Sequence, residues 1–189
     1  MLDFSNSKIL IVGDVMLDKY YFGKVDRISP EAPVPIVNIQ KEESRLGGAS
    51  NVANNIVSLG GHSLLCGVIG HDLFGKEIER ISRHKNIDTF LLKTSSPTIT
   101  KARIIGGKQQ IVRVDYEDKS ELNADNKKLF RDTISRILPE YDILVISDYG
   151  KGLISEDLCR YLIKLAHKYD KKVIIDPKGR NWEKYSGAD

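Results

Sequence analysis

The chain has 189 residues, enough for one domain with a substantial buried core. Hydrophobic residues make up 41% and charged residues 29%, the balance of an ordinary globular protein and not of a disordered or membrane-spanning one. Lys plus Arg number 29 against 26 for Asp plus Glu, and the resulting net charge of +3 is too small a surplus to point to nucleic acid or a membrane surface.

The first residues, 1–8, are polar and carry no apolar stretch of signal-peptide length, and no apolar run anywhere is long enough to span a bilayer, so a soluble cytoplasmic protein is expected. Residues 8–16 (KILIVGDVM) form a near-continuous apolar run ending in Gly-Asp, which reads as a buried parallel strand. Residues 33–40 (PVPIVNIQ) read as a short strand with no helix after it. Residues 51–59 carry Val52, Ile56 and Leu59 at helical spacing and stop at Gly60 and Gly61. Residues 62–70 (HSLLCGVIG) are a second buried strand, and residues 73–85 place Phe74, Ile78 and Ile81 on one helix face. Residues 90–115 again lack a helix. They contain a hairpin with Lys101 to Ile105 as one arm, Gly106, Gly107 and Lys108 as the turn, and Gln110 to Asp115 as the other arm. A helix over 125–138 ends before Pro139, a strand covers 142–149 (DILVISDY), a helix capped by Ser155 runs to Tyr169, and a last strand covers 171–178 (KKVIIDPK).

Strand and helix alternate, which predicts an α/β core around a mostly parallel sheet. The two interruptions, residues 20–40 and 90–115, are expected to form a small β lid added to that sheet. Cys66 and Cys159 sit in apolar periodic segments and read as buried free thiols. His62, His71, His84 and His167 show no ligand spacing, so no metal site is expected.

The most informative stretch is 46–70. Gly47 and Gly48 precede a helix, and paired glycines there let backbone N–H groups approach an oxygen-rich ligand, while Asn51 can both donate to and accept from a hydroxyl. A tight turn into a helix would explain the glycines alone equally well. Ligands of open α/β sheets bind beyond the carboxyl ends of the strands, where Gly13 to Asp18 (GDVMLD) offers two acids, Asp14 and Asp18. Either could accept from hydroxyls or cap a turn. Residues 70–76 (GHDLFGK) imitate the start of a phosphate-binding loop, but Glu77 stands where that loop needs Ser or Thr, so the segment is not read as one.

The spacing of Gly47, Gly48, Ala49, Asn51, Ala53, Gly60 and Gly70 resembles, position by position, the first signature of the ribokinase/PfkB carbohydrate kinases. Residues 13–20 (GDVMLDKY), 27–37 (RISPEAPVPIV), 97–101 (PTITK), 109–115 (QQIVRVD), 147–152 (SDYGKG) and 176–179 (DPKG) narrow the resemblance to heptose 7-phosphate kinase domains, which in many bacteria are fused to a nucleotidyltransferase that makes ADP-heptose for lipopolysaccharide core. The resemblance covers essentially the whole chain, 1–189, as an incomplete ribokinase-like domain, a three-layer α/β/α sandwich with a β-sheet lid.

The resemblance implies phosphorylation by ATP of the anomeric hydroxyl of a sugar 7-phosphate. It assigns Asp18, Gly47, Gly48 and Asn51 to the sugar, places Asp148 where relatives contact it, and gives Lys101 the substrate phosphate, with Arg103 on the same face. Lys151, Lys178 and Arg113 are further candidates for phosphate charge, each explained equally well as a solvated surface residue. It also implies a homodimer through the lid, whose strand edges carry Ile104, Ile111 and Val112. The Gly-Ala-Gly-Asp turn that supplies the general base and anion hole in relatives, and their Asn-x-x-Glu stretch, are not in the sequence, and the base Asp is expected beyond residue 189. No catalytic residue, bound ATP or Mg2+ is therefore expected in this chain alone, although the complete enzyme would use both, and the isolated chain is expected to be inactive. Two other readings stay open, a kinase for a different sugar or phosphosugar and a non-catalytic sugar-binding or assembly module.

Overall fold

The computed structural model describes residues 4–189. In chain order the elements are β1 (Lys8–Gly13), β2 (Val15–Ile28), β3 (Pro35–Gly48), α1 (Ala49–Ser58), β4 (His62–Gly70), α2 (Leu73–His84) and β5 (Asp88–Thr94). There follow β6 (Thr100–Gly106), β7 (Gln109–Tyr116), α3 (Ala124–Ile137), β8 (Ile143–Ser147), α4 (Glu156–Lys168) and β9 (Lys172–Asp176), with short 3-10 turns at Leu138–Glu140 and Trp182–Tyr185.

The main sheet has five strands in the order β5-β4-β1-β8-β9, all parallel. Its central strand is apolar on both faces because both are covered. Ile11 and Val15 pack with Leu65, Ile69 and Ile78 on the side of α1 and α2. Leu10 and Val12 pack with Phe130, Ile134, Leu158 and Leu162 on the side of α3 and α4. These are the α/β core and parallel sheet expected from the alternation, in the three layers that the resemblance implies. Both cysteines are buried and free as anticipated.

A second sheet of four strands, in the order β3-β2-β6-β7, stands on the carboxyl edge of the first. The 101–115 hairpin is its β6-β7 arm, turning through Gly107 at φ 63°, where the chain needs a residue without a Cβ. Its borders differ from those expected. The 8–16 run is not one strand, because the chain breaks at Asp14 and re-enters as β2 in the other sheet. The break is fixed by hydrogen bonds: Asp14 N–H donates to the Ser147 carbonyl at 3.1 Å and its own carbonyl accepts from Ala49 N–H at 3.0 Å. Val15, Met16 and Leu17 stay apolar because the root of β2 is buried. Asp18 therefore sits inside the second sheet and not at the end of the first strand.

Residues 90–94 also belong elsewhere. They complete β5, paired in parallel with β4 through Cys66 and Phe90, and Phe90 packs on Phe130 at 5.9 Å between ring centres. The chain passes from β5 directly to the second sheet without a helix, and that missing helix broke the sequence rhythm. At the other end, β3 runs on past Gln40 to Gly48.

Candidate functional site

From Asp18 onwards β2 alternates. Asp18, Tyr20 and Phe22 face one side of the second sheet, and Lys19 and Tyr21 the other. The register places Asp18 between Arg45 on β3 and Lys101 on β6, with Asp115 beyond on β7. The next row on that face is Glu43, Tyr20, Arg103 and Arg113. The Arg103 guanidinium donates to Asp18 Oδ1 at 2.6 Å, and both side chains are only about a fifth exposed (21% and 23%). The Tyr20 ring lies between two guanidinium groups, Arg45 at 5.0 Å and Arg103 at 5.1 Å from its centre, and stacks on Phe22. Arg113 forms a two-pronged bond to Asp115, at 2.8 and 2.9 Å. Lys101, half-buried beside Asp18, carries no ion pair among the described residues.

The paired glycines have a physical cause other than ligand approach. A Cβ on Gly47 would lie 2.5 Å from Asp18 Oδ2, so the carboxylate rests on the glycine backbone. Gly48 has φ 54° and ψ −136°, a conformation open to glycine, and caps α1 without a side chain. Buried Ser50 donates its one hydroxyl proton within this turn, where the carbonyls of Gly47 at 2.6 Å and Met16 at 3.1 Å are both in reach. Asn51 follows, exposed on the first turn of α1.

The carboxyl edge of the main sheet supplies the facing groups. Asp14 is buried, and its Oδ2 accepts from the N–H groups of Tyr149 at 2.8 Å and Lys151 at 3.1 Å. Burial pushes its carboxyl above the usual carboxylate range, against the opposing pull of those two N–H groups. Asp148, 2% exposed, is occupied from within. It accepts from Gly150 N–H at 2.8 Å, from the Tyr185 hydroxyl at 2.7 Å and from the Lys184 amine. Burial, with the Asp148 charge adding to it, pushes the Tyr185 phenol up to about 12. The Lys151 amine pairs with Glu117. Lys178 is exposed next to Gly150. The Tyr149 phenol is raised by burial first, then by the Asp176 charge and a hydrogen bond to it, and then by the Asp18 charge.

The structure thus gathers Asp18, Gly47, Gly48, Asn51, Lys101 and Arg103 around one face of the second sheet and its junction with α1. Asp14 and Lys151 sit together below it, Asp148 is tied into the main sheet's edge, and Arg113 is tied to Asp115. Tyr20, Arg45, Tyr149, Lys184 and Tyr185 were not singled out from the sequence. Tyr20 was within reach, because it lies two residues from Asp18 and so shares its face. Arg45 depends on the pairing of β2 with β3, which no local pattern fixes.

The 70–76 segment is a structural clip. Asp72 caps α2 by accepting from Gly75 N–H at 2.8 Å and also accepts from the Thr98 N–H and hydroxyl, each at 2.8 Å, while Gly70 N–H donates to Thr98 Oγ1. The clip fixes the chain just before β6. Burial works against the Asp72 charge, but these hydrogen bonds outweigh it and hold the carboxyl below its usual value. A carboxylate depressed in this way stabilises the fold above its unfolded value near pH ~4 and loses that contribution as the pH falls through the folded value. Asp72→Ala is expected to cost about 1–3 kcal/mol near neutral pH and progressively less below pH ~4, read by urea unfolding across pH. A cost that does not change with pH would contradict the clip.

A family model described as "pfkB family carbohydrate kinase" matches residues 6–186. The chain belongs to this family. Among curated proteins it is 47% identical over 183 residues to the bifunctional protein HldE of Helicobacter pylori, covering 96% of this chain and 40% of that protein. It is 44% identical over 185 residues to the D-beta-D-heptose 7-phosphate kinase of Bordetella bronchiseptica, covering 97% of this chain and 58% of that one. The chain therefore spans about half the length of these pfkB relatives. Among solved structures, the tetrameric inhibited form of phosphofructokinase-2 from Escherichia coli matches with a TM-score of 0.70 at 18% identity, over 95% of this chain and 57% of that one. A carbohydrate kinase from Agrobacterium tumefaciens matches with a TM-score of 0.66 at 17% identity, over 89% and 53%. These two bear on the fold, which is the ribokinase-like sandwich with a second sheet.

Proposed function

We propose that this chain is the sugar-binding part of an ATP-dependent carbohydrate kinase that phosphorylates the anomeric hydroxyl of D-glycero-β-D-manno-heptose 7-phosphate, in the route to ADP-heptose. The observation that carries the reading is the Asp18 carboxylate held beside the Gly47 turn, with Arg103 bonded to it and Lys101 unpaired next to it. A carboxylate can accept from two sugar hydroxyls, and the adjoining cations can meet a phosphate with charge-assisted bonds. The name of the B. bronchiseptica relative, a D-beta-D-heptose 7-phosphate kinase, supports the substrate class.

On this reading Asp18, Asn51 and the Gly47 and Gly48 backbone hold the sugar, Lys101 and Arg103 hold the 7-phosphate, and the second sheet closes over both. Asp148 reaches the sugar only by exchanging Lys184 or Tyr185 for it, and Lys151, Lys178 and Arg113 supply positive potential around the phosphates. ATP is the phosphoryl donor, carried as its Mg2+ complex in the complete enzyme. Among the described residues no group of three or more acids, histidines or cysteines is placed to hold a metal ion. Among the described residues no helix is long and apolar enough to cross a membrane, and a cytoplasmic location is part of the proposal.

The test is calorimetric titration of the 189-residue chain with heptose 7-phosphate and with unphosphorylated heptose. Lys101→Ala is expected to weaken the phosphate by roughly 10–150-fold, the worth of about 1.5–3 kcal/mol for a hydrogen bond to a charged group, and to leave the unphosphorylated sugar within about threefold. Equal losses would make Lys101 a structural residue of the sheet, and tighter binding of another sugar would favour a different acceptor.

Association through the second sheet is part of the proposal. β3 and β7 are its open edges, and Ile111, Val112 and Val114 are exposed on β7, while Ile104 is half-buried on β6. Light scattering is expected to give twice the 21.3 kDa of the single chain, and Val112→Lys is expected to return the monomer. A wild-type monomer at high concentration would count against this interface.

A further inference from the structure

Asp18 and Tyr20 belong to adjoining rows of the second sheet, and in those two rows Tyr20 is the only uncharged side chain. An aromatic ring at the centre of a charged face calls for a reason. Among the described residues the Tyr20 hydroxyl makes no hydrogen bond, so what the face uses is the ring. The ring is itself held in place. It stacks on Phe22 with centres 6.0 Å and planes 10° apart, and Phe22 in turn carries the Lys41 amine 5.9 Å from its centre.

The two cations that flank the ring differ. Arg45 is mostly exposed and donates to Glu43 at 2.7 Å. Arg103 is mostly covered, and it grips Asp18 by one nitrogen only: Nη1 donates to Oδ1 at 2.6 Å and also reaches the Lys101 carbonyl at 3.4 Å. Arg113, paired with it across β6 and β7, takes both oxygens of Asp115 through Nε and Nη2, at 2.8 and 2.9 Å. A two-pronged bond fixes the plane of a guanidinium, whereas a one-point bond lets it pivot. The plane of Arg103 is therefore set by the Tyr20 ring, whose centre lies 5.1 Å from the guanidinium carbon. Among the described residues the one-point contact leaves Asp18 Oδ2 and Arg103 Nε and Nη2 without a hydrogen bond. An acceptor and a set of donors thus stay open on one ion pair, where a two-pronged pair would have spent them on each other.

We propose that Tyr20 is a positioning residue: its ring holds the Arg103 guanidinium to a one-point contact with Asp18, so that Arg103 keeps N–H donors for a phosphate monoester and Asp18 keeps an oxygen for a hydroxyl. Tyr20 touches neither group of the ligand and acts through Arg103. Without the ring, Arg103 swings onto Asp18 as Arg113 does onto Asp115, and the face closes on itself. The inference rests on the assignment of Arg103 to the 7-phosphate.

The probes are inorganic phosphate and heptose 7-phosphate, titrated calorimetrically into the 189-residue chain, beside the 15Nε–Hε signal of Arg103, which needs no ligand. Tyr20→Phe keeps the ring and is expected to bind both probes within about twofold of the unchanged protein, while Tyr20→Leu removes the π face and is expected to weaken both by about five- to thirtyfold. Tyr20→Met replaces the leucine variant if that one melts early. A side chain that only packed would act independently of Arg103. In an Arg103→Ala background the further loss from Tyr20→Leu is instead expected to vanish, to within about twofold. The Arg103 Nε–H signal is expected to lose the shielding of the ring in Tyr20→Leu and to keep it in Tyr20→Phe. Losses that simply add, a phenylalanine variant as weak as the leucine one, or an Arg103 signal indifferent to Tyr20→Leu each overturn the positioning role and leave the phosphate assignment standing. Arg103→Ala without effect on either probe overturns the assignment itself, and the inference with it.

Discussion

Asp18→Asn is expected to weaken sugar binding by about a hundredfold or more and to leave the fold almost untouched. The carboxylate has two oxygens, and Arg103 occupies Oδ1 at 2.6 Å, leaving Oδ2 above Gly47 for hydroxyls. An amide of the same shape has one acceptor oxygen. Bonded to Arg103, it turns its NH2 to the ligand; turned the other way, it sets NH2 against a guanidinium. Hydrogen bonds to a charged group are worth about 1.5–3 kcal/mol, so two of them come to about 3–6 kcal/mol, or roughly two to four powers of ten in affinity. The stability cost is small by comparison, because a partly exposed ion pair contributes about 0–1 kcal/mol and the isosteric amide keeps the packing on Gly47. Titration calorimetry with heptose 7-phosphate and with unphosphorylated heptose, beside a thermal melt, separates the two effects. Both ligands should lose alike, in contrast to Lys101→Ala. A loss below about threefold would mean that Asp18 serves only to orient Arg103.

The layers of the fold were legible because the signals are local. A parallel strand buried on both faces is mostly apolar, as the 8–16, 62–70 and 142–149 runs are; each covering helix announces itself by one apolar stripe. The errors arose where tertiary structure overrides local pattern. Val15, Met16 and Leu17 look like the end of one strand but are the buried root of another, and the only local sign of the break is Asp14, a polar residue inside an apolar run. Phe90 to Thr94 resembles its lid neighbours because no helix follows it, although Phe90 belongs to the core. For the site, the glycine and asparagine positions stood out by spacing, and so did the alternation that brings Arg103 to the Asp18 face. Arg45 and the Asp148, Lys184 and Tyr185 cluster could not be read, because each depends on the pairing of segments 27 to 37 positions apart.

Gly48→Ala is expected to destabilise the protein by about 3–5 kcal/mol, a large part of the roughly 5–15 kcal/mol that holds a domain together. Two costs add. At φ 54° and ψ −136° an alanine is held in a backbone conformation worth about 1–3 kcal/mol of strain. Its Cβ would also lie 2.4 Å from the Asp14 carbonyl oxygen and 2.8 Å from Met16 Cε. The methionine end can bend away, but the carbonyl cannot, because it accepts from Ala49 N–H at 3.0 Å and that bond sets the start of α1. Overpacking of this kind costs about another 1–3 kcal/mol. Gly60 is the matched control. It also has positive φ, 91°, but a Cβ there meets nothing within 4 Å, so Gly60→Ala should show the backbone cost alone, about 1–3 kcal/mol. Urea unfolding of the two variants side by side measures the difference, and near 190 residues each kcal/mol also lowers the melting midpoint by about 2–4 °C. Equal losses would mean that the turn between β3 and α1 can shift to admit a side chain. The contact between the Asp14 carbonyl and α1 would then be soft, and the position of Gly47 under the Asp18 carboxylate would be an adjustable feature of the site instead of a fixed one.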